Sequence, residues 1–314
     1  MKYSSILIIY ILHFKVMSTQ KNIRAYLNTK DIATTMTGFV NEERWWGRAD
    51  KDYLYKNERG EIYHDLTNWL FVVKCNRTFD YSYWEWSTHI TLTTDTEYQM
   101  SDKNVWASTI WNYWDTVATA NGWNLFQWWN NYPFEIWRTW WVSTTHIDVS
   151  EYSWQNPFSS STYIYGDLWG SSSWYKTWME PVNKDLRWDV TNTNIARKWP
   201  CSSWFHIPTW FERAAIATIW IYVSWINTSI TELQLWINAE NIDKFVEDFH
   251  LPYCWWLDYS WKRWNWFNYW SSSWQSWAEA NAYSLSIYRR DYWIEAMHSS
   301  NAVWTFAIRP FKNL

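Results

Sequence analysis

The cysteines and histidines of this chain are the side chains best suited to bind a transition metal or to act as nucleophile and base. There are three cysteines and seven histidines, yet neither C-x-x-C nor H-E-x-x-H spacing occurs among them. Three cysteines allow one internal disulfide, for which Cys201 and Cys254 are the first pair to test. The alternative is three reduced or buried thiols, Cys75 among them. The spacing predicts no metal centre built on cysteine.

Glycine, on which phosphate-binding and nucleophile loops depend, is scarce in this chain, whereas tryptophan is abundant. The chain has 6 glycines and 35 tryptophans in 314 residues, whereas ordinary chains carry about 7% glycine. Many tryptophans stand where turns usually place glycine, as in Asn68-Trp69 and Asn265-Trp266. We therefore hypothesise that most of the tryptophans are glycines in the source organism, a bacterium that reads the codon UGA as glycine.

The alternative hypothesis takes the tryptophans literally, as a surface whose indole rings stack on sugars or lie at a membrane interface. A sugar-binding platform needs only a few coplanar rings, and it gives no reason for glycine to disappear. The excess of one residue and the depletion of the other together favour a single substitution.

Restoring glycine would create two apparent catalytic motifs, and neither has the surroundings that its chemistry requires. Trp256 to Lys262 would read G-x-x-x-x-G-K, but a phosphate loop needs Ser or Thr after the lysine, and Arg263 stands there. Gly170 to Trp174 would read G-x-S-x-G, but it lies in a serine run without the strand-turn-helix pattern of a nucleophile elbow. We expect enzymatic activity from neither motif.

The charge balance and the N-terminal residues limit the partners of the chain. A net charge of -4 with 18% charged residues gives no basic stripe, which argues against nucleic acid. Lys2 and the apolar run Ile6 to Phe14 resemble a secretory leader but are too short to span a bilayer. The alternative is a start at Met17. We predict a secreted or cell-surface protein that meets a membrane only through residues 1–18.

Composition divides the chain into three regions: a possible signal or membrane-anchor segment (1–18), a charged N-terminal region (19–68) and a region rich in Ser, Asn and aromatic residues (69–314). In the charged region, a turn at Asn57–Gly60 between apolar and aromatic residues predicts a small hairpin or a stalk.

The elements that must position the residues of the third region are two helices and several strands. Thr209 and Glu212 fit a capping box, which predicts a helix that continues to about Trp220. A second helix is predicted from about Ala239 to His250, where apolar residues recur at helical spacing. Alternating patterns predict three short antiparallel strands around Tyr283–Ile287, Tyr292–Met297 and Trp304–Ile308.

Five segments, in order over roughly residues 110–314, resemble a known family. Pro200 to Thr209, read with glycine at 204, resembles the Cys-Pro-x-Gly-Trp/Phe-His-x-Pro-Thr signature of the Fibrobacter succinogenes major paralogous domain. The other four resemble the family's Tyr/Leu-x-Trp segment, its Leu-Pro-x-Gly-Gly-rich loop, its Tyr-Trp-Ser-Ser motif and its Gly-Phe-Ser-Val-Arg-Cys end: Asn124–Trp128, Leu251–Asn268, Asn268–Ser273 and Val303–Pro310.

The resemblance implies a fold and a set of structural residues. The expected fold of residues 69–314 is α+β and C-type-lectin-like, with two helices, small twisted antiparallel sheets and long loops, distantly related to formylglycine-generating enzymes. Pro310 stands where the family often has a cysteine, so the pairing of Cys201 stays open. The resemblance also marks Trp123, Trp128 and Trp270 as true tryptophans. The residues expected to have structural roles are Cys201, His206, Pro208, Thr209 and Glu212, with His206 as a hydrogen-bonded rather than a catalytic histidine.

The expected function is a non-catalytic binding or adhesion module, with its contact surface on loops between Trp255 and Trp277. For Trp270, core packing beneath these loops is favoured over contact with a ligand. The residues expected to contact an extracellular glycan or protein are Asn268, Tyr269, Trp270 and Asp258.

No cofactor is expected. Glu180 to Asn183 is similar to the Glu-Pro-Asn loop of calcium lectins, but calcium needs six to eight oxygen ligands, which the spacing of Asp185, Asp189 and Asp258 does not supply. The alternative functions are a formylglycine-generating type of enzyme and a structural component of a surface layer or pilus.

Overall fold

The computed structural model describes residues 50–83, 88–107, 124–135, 141–143, 145, 148, 152, 158–164, 200–224, 239–252, 267–274, 281–288, 293–301 and 304–313. The predicted export segment, 1–18, and residues 19–49 of the charged region lie outside this set. No helix in the described part of the chain is both long enough and apolar enough to cross a lipid bilayer.

The described residues form two helices and sixteen strands, mostly in small antiparallel sheets. This confirms the α+β class, with β structure predominating. The helices are α1 (Trp210–Ser224) and α2 (Ala239–Asp248). The strands are β1 (Lys51–Asn57), β2 (Gly60–Asp65), β3 (Leu70–Cys75), β4 (Phe79–Tyr83), β5 (Thr88–Leu92), β6 (Glu97–Ser101), β7 (Asn124–Gln127), β8 (Phe134–Glu135), β9 (Val142–Ser143), β10 (Tyr163–Ile164), β11 (Phe205–His206), β12 (Phe267–Trp274), β13 (Asn281–Tyr288), β14 (Trp293–Asn301), β15 (Thr305–Phe306) and β16 (Phe311–Lys312).

The largest sheet has six strands in the order β1-β2-β3-β6-β16-β11. Every neighbouring pair in it is antiparallel. The sheet joins strands from both ends of the described chain. The boundary predicted between residues 19–68 and 69–314 falls inside it, in the turn between β2 and β3.

Strands β1 and β2 form the hairpin predicted around the turn Asn57–Gly60. Asn57 Oδ1 accepts hydrogen bonds from the amides of Arg59 and Gly60, at 2.8 and 3.2 Å, as turn asparagines commonly do. Asn57 Nδ2 donates to the Val223 carbonyl of α1 at 2.7 Å, and β2 pairs with β3 along its whole length. The hairpin is therefore part of the main sheet rather than a separate stalk.

Replacing Gly60 by alanine is expected to lower the free energy of unfolding by about 1–3 kcal/mol, the usual cost of overpacking. A Cβ at this position would lie 2.3 Å from the Lys74 carbonyl oxygen and 2.8 Å from Val223 Cγ2. Because that carbonyl belongs to the paired strand β3, backbone must move to make room. Urea unfolding of Gly60→Ala measures the loss, with the exposed turn residue Glu58→Ala as control. Equal stability of Gly60→Ala and the parent would contradict this close approach.

Helix α1 begins at the predicted capping box. The Thr209 amide donates to Glu212 Oε2 at 2.7 Å, and the Glu212 amide donates to Thr209 Oγ1 at 3.1 Å, which are the reciprocal bonds of this motif. The helix continues past Trp220 to Ser224, so the predicted end was wrong. Trp220 does not end the helix because it is buried, and its indole N–H donates to Asp248 Oδ2 at 2.8 Å.

Helix α2 ends at Asp248, within two residues of the predicted end at His250. The Leu251 amide donates to the Val246 carbonyl at 2.9 Å, and the His250 amide donates to the Glu247 carbonyl at 3.1 Å. His250 has a left-handed backbone with φ 48°. This is a Schellman termination, in which the left-handed residue is more often glycine.

The C-terminal strands only partly follow the sequence pattern. Strands β13 and β14 were predicted, and they pair with β12 in a three-stranded antiparallel sheet. The third predicted strand instead forms β15, in a separate sheet of order β15-β7-β8. The residues of strand β12 were predicted to belong to the contact loops between Trp255 and Trp277, on the resemblance and on loop composition. That prediction was wrong over Phe267–Trp274, where every residue from Asn268 to Ser273 is buried.

Two clusters of buried apolar side chains hold these elements together. The larger packs the six-stranded sheet against both helices and includes Ile62, Phe71 and Trp220. Every residue of α1 from Arg213 to Ile221 is buried, so this helix passes through the core rather than lying on the surface. The smaller cluster, called here the Trp270 cluster, contains Trp128, Trp270 and Phe306.

Candidate functional site

Four of the five segments that carry the family resemblance meet in the Trp270 cluster. The Trp270 indole N–H donates to the Phe126 carbonyl at 2.6 Å, and its ring centroid lies 4.2 Å from that of Phe306. The Trp128 indole N–H donates to the Ser271 carbonyl at 3.2 Å. Segments far apart in sequence are therefore parts of one packed unit. The residues of these segments that belong to the cluster are Phe126, Trp128, Cys201, Ile207, Trp270, Phe306 and Ile308.

Three of the four residues predicted to contact a ligand lie inside strand β12. Asn268, Tyr269 and Trp270 are 3%, 0% and 0% exposed. The Tyr269 hydroxyl donates to the Pro252 carbonyl at 2.8 Å, and Asn268 Oδ1 accepts from the Ser286 hydroxyl at 2.6 Å. In this arrangement they pack the core rather than face a ligand, which is the role favoured for Trp270. Asp258 lies outside the described residues.

The signature residues before α1 form a hydrogen-bonded cluster. His206 Nε2 lies 3.1 Å from Glu212 Oε1, and His206 Nδ1 lies 2.8 Å from Asn313 Oδ1. The Pro208 carbonyl accepts from the Ser272 amide at 2.9 Å. These contacts join α1, β12 and the C-terminal residues, and they are the contacts expected of a structural histidine.

The described cysteines are buried thiols. Cys75 and Cys201 are both free, and Cys254, the predicted partner of Cys201, lies outside the described residues. Burial raises the pKa of the Cys201 thiol far above its usual value. A thiol that stays protonated is a poor nucleophile and a poor metal ligand.

The described residues bring together no group of three or more His, Cys, Asp or Glu side chains that could hold a metal ion. Glu180 to Asn183, Asp185 and Asp189, which were weighed as a calcium loop, lie outside these residues.

Three tryptophans have backbone angles that favour glycine. Among the described residues, five other than glycine have a left-handed backbone, and three of these are Trp69 at φ 59°, Trp106 at φ 63° and Trp129 at φ 70°. Bulky side chains are disfavoured there, whereas glycine is not. Trp69 and Trp106 are also 50% and 58% exposed. Both features are those of turn glycines.

Trp204, at the position where the family signature has glycine, is 73% exposed. It lies in a turn in which the Phe205 amide donates to the Ser202 carbonyl at 3.0 Å. Its backbone is not among the left-handed ones described. Trp255, Trp256, Trp261, Trp264 and Trp266, where glycine was also expected, lie outside the described residues.

A half-buried carboxyl group that the sequence did not indicate lies at the end of α2. Asp248 Oδ2 accepts from the Tyr55 hydroxyl and from the Trp220 indole N–H, both at 2.8 Å. Burial raises the pKa of Asp248 from its usual 3.8 to about 6, although these two hydrogen bonds act in the opposite direction. Lys244, one turn earlier, also favours the charged form.

Stability is therefore expected to fall as the pH rises from about 4 to 6, because the folded state holds the Asp248 proton more tightly than the unfolded state. The raised pKa changes the free energy of unfolding by up to about 3 kcal/mol over this pH range. Partial exposure of the carboxyl group reduces the change to about 2 kcal/mol. Asp248→Asn should remove this fall and be more stable than the parent at pH 7. Thermal unfolding from pH 4 to pH 7 tests it, with the exposed Asp80→Asn as control. If the pH dependence of stability is unchanged in Asp248→Asn, other titratable groups cause it.

Buried polar residues were also missed by sequence reasoning. His64 Nε2 lies 3.0 Å from Asp102 Oδ2, and both residues are buried. Arg213 and Arg309 are 4% and 2% exposed. Only Arg213 had a usable signal: it directly precedes an apolar run that covers every side of α1.

Comparison with known proteins finds no relative of the chain: no family model, curated protein or solved structure matches it.

Proposed function

We propose that the chain is a non-catalytic binding or adhesion module displayed outside the cell, with the C-type-lectin-like fold of the Fibrobacter succinogenes major paralogous family. The observation that carries the proposal is the meeting of four resemblance segments in the Trp270 cluster. Segments that belong to one domain are expected to pack against one another, as these four do. The two helices and the small antiparallel sheets agree with the implied fold.

The non-catalytic part of the proposal is supported by Cys201. A formylglycine-generating type of enzyme needs reactive, accessible cysteines, whereas Cys201 is 7% exposed and burial raises its thiol pKa. Copper binding, measured by calorimetry on the parent and on Cys201→Ser, separates the two functions. Stoichiometric copper binding lost in Cys201→Ser would favour the enzyme.

The identity of the tryptophans is part of the same proposal. The left-handed backbones of Trp69 and Trp106 support glycine at these positions in the native protein. Tandem mass spectrometry of the native tryptic peptide 199–213 tests the family signature directly. Glycine at 199, 204 and 210 would establish the recoding and restore the signature. Tryptophan at these positions would break it and favour the aromatic sugar-binding or membrane-interface alternative.

Ligand contact is proposed for what remains of the predicted surface, residues 255–266 and 275–277, which adjoin β12 in sequence. A glycan array probed with the purified protein tests this, with Asp258→Ala as the test variant and the exposed Asp80→Ala as its control. Binding that is lost only in Asp258→Ala supports the surface. Recovery of the native protein only in assembled surface fractions, without glycan binding, would favour the structural component instead.

A further inference from the structure

One face of the six-stranded sheet is turned away from both helices. In an antiparallel sheet, residues paired across strands share a face, and successive residues of a strand alternate between faces. Ile62, Phe71 and Val73 belong to the larger apolar cluster and pack toward the helices. The residues next to them, Tyr63 in β2 and Val72 in β3, pair with each other on the opposite face, called here the outer face.

The middle of the outer face is buried, although it is part of neither apolar cluster of the described residues. Leu70 and Val72 are each 2% exposed and Tyr63 is 9% exposed, and the two clusters include none of the three. Val72 lies between Tyr63 and Gln99 on the central strand β3. An antiparallel sheet face that meets water presents polar side chains. An apolar row with so little exposure therefore needs a covering layer.

The chain enters this sheet at the end where Leu70 lies. The Leu66 amide donates to the Asp50 carbonyl at 2.7 Å, which holds the start of β1 beside the turn between β2 and β3. The register places Lys51, Asp65 and Leu70 in one row across these three strands. Because neighbouring strands are about 4.8 Å apart, the residues before Asp50 leave the sheet about 10 Å from Leu70.

Residues 19–49, which lead into β1, carry an apolar stripe suited to this row. Four apolar residues recur there at the helical spacing i, i+4, i+7 and i+8: Ile32, Met36, Phe39 and Val40. A segment tethered so close has a high effective concentration at the outer face, which favours it over a second copy of the chain. Residues 19–44 include no tryptophan, so the stripe does not depend on which tryptophans are glycines.

We propose that residues 19–49 fold back onto the outer face of the six-stranded sheet, with the stripe from Ile32 to Val40 packed over Leu70 and Val72. The docked segment is the covering layer that the low exposure of these two residues requires. The N-terminal region is then part of the domain rather than a free spacer between the domain and the cell surface. This docking is independent of the proposed ligand surface, and either can fail without the other.

Photocrosslinking of the full chain tests the docking. With p-benzoylphenylalanine in place of Tyr63, irradiation is expected to give an intramolecular crosslink to a peptide within residues 19–49, identified by mass spectrometry. The same probe in place of Asp80, an exposed residue of β4, should give no crosslink to that peptide. A crosslink from position 63 to a second chain, a crosslink only to other parts of the same chain, or no crosslink at all would overturn the docking.

A matched pair of substitutions tests the stripe itself. Phe39→Asp places a charge on the stripe and should abolish the crosslink from position 63. Thr34→Asp adds the same charge on the opposite side of the helix that the spacing predicts, so it should keep the crosslink. Loss of the crosslink in both variants, or in neither, would overturn the role of the stripe. If Phe39→Asp fails to fold, the crosslink from position 63 in the chain without this substitution still decides the docking.

Discussion

A chain in which glycine replaces both Trp69 and Trp106 is expected to be more stable than the parent by about 1–2 kcal/mol. At each position a left-handed residue with a Cβ costs about 1–2 kcal/mol, and the entropic cost of glycine offsets about 0.5–1 kcal/mol of that gain. Both residues have positive φ, at 59° and 63°, and half or more of each side chain is exposed. Little buried apolar area is therefore lost when the indoles are removed. Urea unfolding of the double variant beside the parent measures the gain.

Two controls separate backbone strain from the removal of an exposed indole. Trp69→Ala removes the ring but keeps the Cβ, so it should gain much less than Trp69→Gly. Trp204→Gly removes a 73% exposed indole from a backbone without left-handed φ. It should lose up to about 1 kcal/mol, the entropic cost of glycine. Equal gains in Trp69→Gly and Trp69→Ala would mean that backbone strain is not the cause.

The same two residues show what local sequence can predict. Asn68-Trp69 was interpreted as a turn dipeptide from its neighbours alone, and its backbone is left-handed. The capping box at Thr209 and the hairpin at Asn57–Gly60 were confirmed for the same reason: their hydrogen bonds join residues no more than four apart. Short-range hydrogen bonds of this kind are determined by neighbouring residues, so the local sequence predicts them.

Long-range burial was not predictable in this way. The serines of β12 suggested a loop, but they lie in an irregularity of the β12-β13 pairing where distant partners bind them. The Ser272 amide donates to the Pro208 carbonyl at 2.9 Å, and Ser271 Oγ donates to the Tyr283 carbonyl at 2.7 Å. Tertiary partners thus overrode a polar composition. Asp248 and Arg309 were missed for a related reason, since their partners Tyr55 and Ser101 are about 200 residues away, separated by 193 and 208 positions.

Trp270→Ala is expected to lower the free energy of unfolding by about 3–5 kcal/mol, the usual cost of truncating a buried aromatic side chain. Trp270 is fully buried, packs on Phe306 and donates its indole N–H to the Phe126 carbonyl. Trp270→Phe keeps most of the apolar volume and loses the hydrogen bond, so it should cost about 1–3 kcal/mol. Urea unfolding measures both, with exposed Trp204→Ala as control.

The stabilities of these variants also distinguish a true tryptophan from a tryptophan that stands in place of glycine. If Trp270→Ala destabilises the chain while Trp69→Gly stabilises it, the native protein should have tryptophan at 270 and glycine at 69. Mass spectrometry of the native tryptic peptides 60–74 and 264–289 should then show glycine at 69 and tryptophan at 270. Glycine at 270 would contradict the core role of Trp270, because the Trp270 cluster would lose the ring on which Phe306 packs.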